Sequence, residues 1–488
     1  MQNVLRGLTP NSVFGFFEEI AQIPRGSGDE QRISDYLVNF AKERNLEFIR
    51  DNALNVIIKK PATPGYETAP TVILQGHMDM VNEKNKETIH DFSKDPIKLR
   101  VIDDMIYATE TTLGADNGIA IAYALGILDD NNIPHPAIEA LFTTEEESTM
   151  GGATALDGAN LKGRLLINID SEEEGCFLVS SAGGTKAKVV LPIQWEDARS
   201  GMNTIRIRVG GLNGGHSGME INKGRGNANK LMGRVLNEIK NEIELYINEI
   251  NGGSKSNAIP REVDVVAQVS KESYSNLEAK LSVWEAIFKN ELRASDPEVY
   301  IKLEMEDKPL DRVFNKETQN NLIACLVLVP NGVQSMSVEI AGLVESSTNL
   351  GVVQTNDDNI FMINEIRSSV RTRKKDILNT VKLLSESMGA ELRIESDYPE
   401  WEYNPNSKMR KLFQKVYKDM NNKDAEIIAI HAGLECGVLA GKLEGLDSIS
   451  LGPNIFDVHT PKEHFSISST KNVWEYLLEV LKQMNTIE

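Results

Sequence analysis

Seven residues of this 488-residue chain are of types that could do chemistry together: His77, Asp79, Asp116, Glu145, Glu146, Asp170 and His459. Several stand where an apolar run ends. Thr71-Val72-Ile73-Leu74-Gln75-Gly76 runs into His77, Ala140-Leu141-Phe142 into Thr143-Thr144-Glu145-Glu146, and Leu165-Leu166-Ile167-Asn168-Ile169 into Asp170. Histidine and carboxylate donors without cysteine suit Zn2+, Co2+ or Mn2+. Two imidazoles (His77, His459) and three carboxylates (Asp116, Glu146, Asp170) suffice for two ions if one carboxylate bridges them, and Asp116 is the expected bridge. With a bridging hydroxide the charges of such a set sum to zero. Asp79, just beyond His77, is the expected carboxylate behind the imidazole, where it would fix the tautomer and raise the basicity. Glu145 is the expected general base, deprotonating the attacking water and protonating the leaving amine of an amide bond. Glu147 comes directly after, so the register within Glu145-Glu146-Glu147 stays open by one residue.

Each residue alone has a blander reading. Asp116 ahead of a helix could be an N-cap, the glutamate run a solvated turn, and His77 a core histidine satisfied by Asp79. His464 is the rival of His459. The joint pattern is far more specific than any member.

The elements that must position these residues can be read from hydrophobic periodicity. Short apolar runs bounded by polar residues predict buried strands of an α/β sheet, and ligands bind beyond the carboxyl ends of such strands. Two amphipathic helices are expected within residues 10–45 and a buried helix over 117–128. After Gly183-Gly184 the texture changes. Thr204-Ile205-Arg206-Ile207-Arg208-Val209 alternates strictly, as in a half-exposed antiparallel strand. Helices are expected at 229–246 and 275–292, strands near 257–260 and 263–266, and a strand–helix–strand set over 335–395. Near Pro399 the first texture returns, with a helix at 408–420 and strands leading to His431 and His459. The expected layout is a catalytic domain (1–185), an α+β insert (186–399) and the completion of the catalytic domain (400–488). Within the insert, His216 on Gly214-Gly215-His216-Ser217-Gly218 could donate to an oxyanion, and Arg367 could grip a substrate carboxylate.

A hydrophobic fraction of 41% and a charged fraction of 25% are those of an ordinary globular chain, long enough for more than one core. The net charge of −20 argues against nucleic acid or an anionic membrane as partner. No apolar run approaches the roughly 18 residues of a spanning helix, and the N-terminus lacks a signal-peptide core. Cys176, Cys325 and Cys436 form neither a disulfide framework nor a zinc knuckle. A cytoplasmic enzyme is the simplest expectation.

The motifs His77-Met78-Asp79-Met80-Val81, Gly114-Ala115-Asp116-Asn117-Gly118, Thr144-Glu145-Glu146, Asn168-Ile169-Asp170-Ser171-Glu172 and His459-Thr460-Pro461 resemble the dinuclear-zinc aminoacylase/carboxypeptidase metallopeptidase family. Gly215-His216-Ser217-Gly218, Asn257-Ala258-Ile259-Pro260 and His431-Ala432-Gly433-Leu434-Glu435-Cys436-Gly437 resemble its aminoacyl-histidine dipeptidase branch. The resemblance covers essentially the whole chain. It implies a zinc-peptidase-like α/β domain with a mixed central sheet flanked by helices, interrupted by an α+β lid domain. One zinc would be held by His77, Asp116 and Asp170, the other by Asp116, Glu146 and His459, with Glu145 as base, Asp79 orienting and His216 reaching the substrate. Asn349, Arg367, His431 and Gly433 would line the substrate pocket. The implied activity is hydrolysis of unblocked dipeptides, including Xaa-His and β-Ala-His types. An aminoacylase or carboxypeptidase on the same scaffold is the alternative, and a non-catalytic metal-dependent binding protein a more distant one. Relatives of this type are commonly homodimers.

Overall fold

The computed structural model describes residues 3–487, which divide into two compact units. The first comprises residues 3–180 together with 403–429 and 434–487. The second comprises 181–402 and the short segment 430–433. The units divide at Ser181 and Tyr403, and Ile430–Gly433 belongs with the second unit. Its attachments explain this: the Ala182 N–H donates to the Ile430 carbonyl, and His431 Nε2 lies 2.7 Å from Ser347 Oγ.

The first unit is built on an eight-stranded mixed sheet. Its order is Glu47–Arg50, Val56–Lys60, Ile138–Thr143, Val72–His77, Leu165–Asn168, Asp447–Ser450, Cys176–Ser181 and Glu426–Ile430. The four strands at its centre run parallel, in register His77 with Thr143, Gln75 with Asn168 and Ser450 with Asn168. The first three of them in chain order are buried along their length, which is why they read as continuous apolar runs. The register matters for function: it brings the ends of three strands, and so His77, the glutamate run and Asp170, to one edge.

Helix Ala115–Asp129 is buried all round, as its composition requires. Tyr123 stacks on Trp474 at 6.0 Å and donates to the Thr470 carbonyl. Where this helix crosses Val72–His77 there is no room for a side chain. A Cβ on Gly76 would lie 2.5 Å from both Ala120 Cβ and Asn117 Oδ1. Asn117 thereby reaches the strand end, accepting from the His77 N–H at 3.2 Å.

The second unit is an antiparallel sheet of nine strands backed by Ala228–Ile239, Tyr274–Glu291, Lys316–Leu328 and Arg371–Ser387. The alternation in Asn203–Gly210 is read directly: Ile205, Ile207 and Val209 face the core, while Arg206 and Arg208 pair outward with Glu306 and Asp264. The helix expected over 229–246 is shorter. Its apolar stripe of Leu231, Met232, Val235, Leu236 and Ile239 ends at Ile239, and Leu245–Gly252 is a strand. Helix Lys316–Leu328 is not foreshadowed by the sequence pattern. No described helix is long and apolar enough to cross a membrane.

Candidate metal centre

Within the first unit, His77 at a strand end, Asp116 in the opening turn of Ala115–Asp129, Asp170 after a strand and His459 on a loop converge. His77 Nε2 lies 3.1 Å from Asp116 Oδ1 and 3.5 Å from Asp170 Oδ1. His459 Nε2 lies 3.2 Å from Asp116 Oδ2 and 2.9 Å from Glu147 Oε2. The two oxygens of Asp116 thus face different imidazoles, which is the disposition of a bridging carboxylate. Among the described residues, three sets of side chains have potential ligand atoms within 4.8 Å of one another: His77, Asp116 and Asp170; Asp116, Glu147 and His459; and His77, Glu146 and Glu147.

The glutamate register differs from the expected one. Glu147, not Glu146, stands with Asp116 and His459. Glu145 belongs to none of the three sets; its Oε2 accepts from Thr149 Oγ1 at 3.0 Å at the surface. The cause is local backbone. Glu145 has φ +53°, and this left-handed residue turns the chain before the short helix Glu146–Thr149. Asp79 then captures that turn, accepting from the Glu146 N–H at 3.1 Å and the Glu147 N–H at 3.3 Å. The same carboxylate lies 3.2 Å from His77 Nδ1 and accepts from Ser27 Oγ at 2.8 Å. Asp79 is thus in contact with both the His77 ring and the turn that carries Glu146 and Glu147.

The electrostatics are those of a crowded anionic site. Burial pushes the Asp170 carboxyl up to about 6, with Asp116 and Glu147 adding to the effect against the opposing pull of His77. Burial and the charges of Asp170, Glu435 and Glu147 raise Glu146 well above the ordinary range. Burial would raise Asp116 too, but His459 and His77 outweigh it and hold it low. Burial would lower His77, yet Asp170, Asp116 and Asp79 outweigh it and hold the imidazole well above its usual value. Hydrogen bonds to Asp116 and Glu147 raise His459 to about 10. Oxygen and imidazole donors pressed together in this way fit divalent cations, which would relieve the repulsion among the carboxylates.

The other histidines are accounted for elsewhere. His464, the rival ligand, stacks on Tyr107 at 4.6 Å and on Phe456 at 5.1 Å, and its Nδ1 donates to the Lys462 carbonyl. His135 is buried, with Nδ1 2.6 Å from the Pro136 carbonyl.

The second unit holds its own polar cluster. His216 Nδ1 accepts from the N–H groups of Gly218 and Met219, at 3.2 and 3.1 Å, so a neutral ring carries its proton on Nε2. Burial and the nearby Arg367 guanidinium favour that neutral form. Arg367 is buried, donates through Nη1 to Tyr398 Oη at 2.8 Å, and leaves Nε without a partner. Burial, Arg367 and His216 press His431 down to about 3. Gly433 lies on the same short segment. Asn349 departs from expectation: its Nδ2 donates to the Ser256 and Ala258 carbonyls and its Oδ1 accepts from Asn227. Both amide protons are used within the unit, one of them on the segment that pairs with Gly215-His216.

Sequence reasoning missed the inward position of Glu147 and the two buried side chains Arg25 and Glu463. No local signal marks the latter pair, whose hydrogen-bond partners are remote in sequence.

This constellation at the carboxyl edge of a mixed sheet is that of a metallohydrolase. The chain matches peptidase family M20/M25/M40 over residues 73–483 and belongs to that family. It is 38% identical to the cytosol non-specific dipeptidase of Escherichia coli (strain K12) over 480 residues, 98% of this chain and 99% of that protein. The crystal structure of aminoacylhistidine dipeptidase from Vibrio alginolyticus superposes with a TM-score of 0.93 at 36% identity, covering 99% of this chain and 98% of that one. Aminopeptidase PepT from Bacillus cereus shares the fold at a TM-score of 0.56 and 16% identity, covering 98% and 99%.

Proposed function

We propose that this chain is a cytoplasmic two-zinc dipeptidase acting on unblocked dipeptides, Xaa-His and β-Ala-His among them. The observation that carries the reading is Asp116, one carboxylate whose two oxygens face two imidazoles, each backed by a further carboxylate. His77, Asp116 and Asp170 would hold one ion and Asp116, Glu147 and His459 the other, with Co2+ or Mn2+ as possible substitutes for Zn2+. Bound divalent ions supply Lewis acidity, lowering the pKa of water and polarising a carbonyl.

Glu146 is assigned the proton transfers in place of Glu145. It sits among the ligands, and its raised affinity for a proton suits a group that takes one from water and returns it to the leaving amine. Asp79 is assigned the orientation of His77 and of the Glu146–Glu147 turn. In the second unit, the Nε2–H of His216 and the free Nε–H of Arg367 suit anionic oxygens of the substrate, and His431 and Gly433 are assigned to the same duty. The substrate class rests on likeness to the two dipeptidases over nearly the whole chain.

The test is hydrolysis by metal-loaded protein of β-Ala-His, plain dipeptides, a tripeptide and an N-acetyl amino acid, each with and without chelator. Chelator-sensitive cleavage confined to the dipeptides is expected. Cleavage of the N-acetyl substrate alone would move the assignment to an aminoacylase, and of the tripeptide from its carboxyl end to a carboxypeptidase. Light scattering on the same sample decides between a monomer, whose large lid would complete the site within one chain, and a homodimer.

A further inference from the structure

Three ligand-bearing segments of the first unit are tied together by two buried ionisable side chains outside the ligand sets. Glu463, four residues beyond His459, accepts backbone N–H bonds through both oxygens. Oε2 takes those of Leu113 at 2.7 Å and Gly114 at 3.0 Å; Oε1 takes those of Ala115 at 2.8 Å and Asp116 at 3.3 Å. Four successive amides aimed at one carboxylate leave the segment Leu113–Asp116 little freedom. Its backbone is otherwise irregular: Gly114 has φ +69°, and Asp116 and Asn117 lie outside helical values within the helix. Nothing in ordinary helix geometry would hold Asp116 with its two oxygens facing two imidazoles.

Arg25 closes the frame from the other side. Its Nη1 donates to the Met78 carbonyl at 3.0 Å and the Asp79 carbonyl at 2.9 Å, on the segment that carries His77. Its Nη2 donates to the Gly114 carbonyl at 2.5 Å, on the segment that carries Asp116. A Cβ on Gly114 would lie 2.5 Å from Nη2 and 2.7 Å from Met80 Sδ, so glycine is needed for the guanidinium to sit there. Arg25 and Glu463 are each 2% exposed. Burying ions is costly unless each is fully hydrogen-bonded, and here the bonds go to the backbone of the ligand loops.

We propose that Glu463 and Arg25 are positioning residues that set the spacing and orientation of Asp116 relative to His77 and His459, and so determine affinity and coordination geometry at the paired metal site. This rests on the two-metal reading above. A group that orients ligands from behind is worth about 10- to 100-fold in metal affinity or activity. Glu463→Gln exchanges one oxygen for an amide donor, losing two of the four backbone bonds and setting N–H against N–H. Glu463→Asp keeps the charge on a shorter arm. Arg25→Lys keeps a cation but cannot fork to carbonyls on two segments.

The experiment compares these full-length variants with the native chain by Co2+ titration, visible spectra of the Co2+-loaded protein, dipeptide kinetics and melting without metal. Glu463→Gln and Arg25→Lys are expected to bind Co2+ about 10- to 100-fold more weakly with altered spectra, and to lose kcat with KM within about twofold. Glu463→Asp is expected to fall between native and Gln. Native Co2+ affinity and spectrum in a folded variant would overturn the inference, as would activity lost only in proportion to the unfolded fraction. Should Glu463→Gln not fold, Arg25→Lys decides by the same criteria. A native chain that binds no metal or cleaves no dipeptide would instead overturn the proposed function on which this one stands.

Discussion

Replacing Glu145, Glu146 and Glu147 one at a time by glutamine separates three roles that adjacent residues of one type conceal. Glu145 has only a surface hydrogen bond from Thr149 Oγ1, at 3.0 Å, on its side chain. Such a bond is worth about 0.5–1.5 kcal/mol of stability at most, so kcat of Glu145→Gln is expected within about twofold of native. Glu146 stands in the set with His77 and Glu147, not in the one with His459. A general base contributes about 10²- to 10⁴-fold, or roughly 3–5 kcal/mol of barrier, so Glu146→Gln is expected to lose that much kcat while retaining both ions. Glu147 lies 2.9 Å from His459 Nε2 and shares a set with Asp116. Removing a direct carboxylate ligand should exceed the roughly 100-fold upper cost of losing an outer partner. Glu147→Gln is therefore expected to retain one ion per chain after dialysis. The assay is kcat on a dipeptide together with metal content by atomic emission. A Glu145→Gln variant that loses activity by orders of magnitude while keeping both metals would refute the assignment. It would show that Glu145, and not Glu146, carries the proton.

Three further outcomes are expected from the same geometry. Asp79→Asn can preserve at most part of a set that accepts from Ser27 Oγ, two backbone amides and the His77 ring side. A loss of about 10- to 100-fold in kcat or metal affinity is expected, and unchanged values for both would refute the orienting role. Gly76→Ala would place a methyl 2.5 Å from Ala120 Cβ and Asn117 Oδ1, an overpacking expected to cost about 1–3 kcal/mol by denaturant unfolding; a neutral variant would show that the helix can withdraw. His431, pressed from 6.5 to about 3, binds its proton less readily folded than unfolded. Its contribution to stability is complete above pH 6.5 and falls as pH drops toward 3. By about pH 4.5 it should amount to roughly 2–3 kcal/mol lost, so His431→Gln should lose less stability on acidification than the native chain. Equal losses would refute the burial argument.

Much of this architecture is written locally. The apolar runs before His77, Glu145 and Asp170 predict parallel buried strands, because a strand covered on both faces excludes unpaired polar side chains. The strict alternation of residues 204–209 predicts a sheet with one exposed face, and the change of texture near Gly183 predicts the start of a second domain. The types and order of His77, Asp116, Asp170 and His459 pointed to one candidate metal-ligand group, and parallel strands bring His77 and Asp170, beyond their carboxyl ends, to one edge.

Orientation inside loops is the property the chain could not display locally. Hydrophobic periodicity reports which face of a regular element is buried, and Glu145–Glu147 has no period to report. Its register is decided by one left-handed residue and by Asp79, which is remote in sequence from the amides it captures. The same holds for Glu463, bonded to amides 350 and 349 positions away, and for Arg25, which looks like any surface cation until its three carbonyl partners are seen. Asn349 is the converse case: a side chain of the right type for a ligand whose donors the fold has already used. Side-chain chemistry and strand order are properties of the sequence; which polar atom is left free to act depends on where every other hydrogen bond goes, and only the tertiary structure decides that.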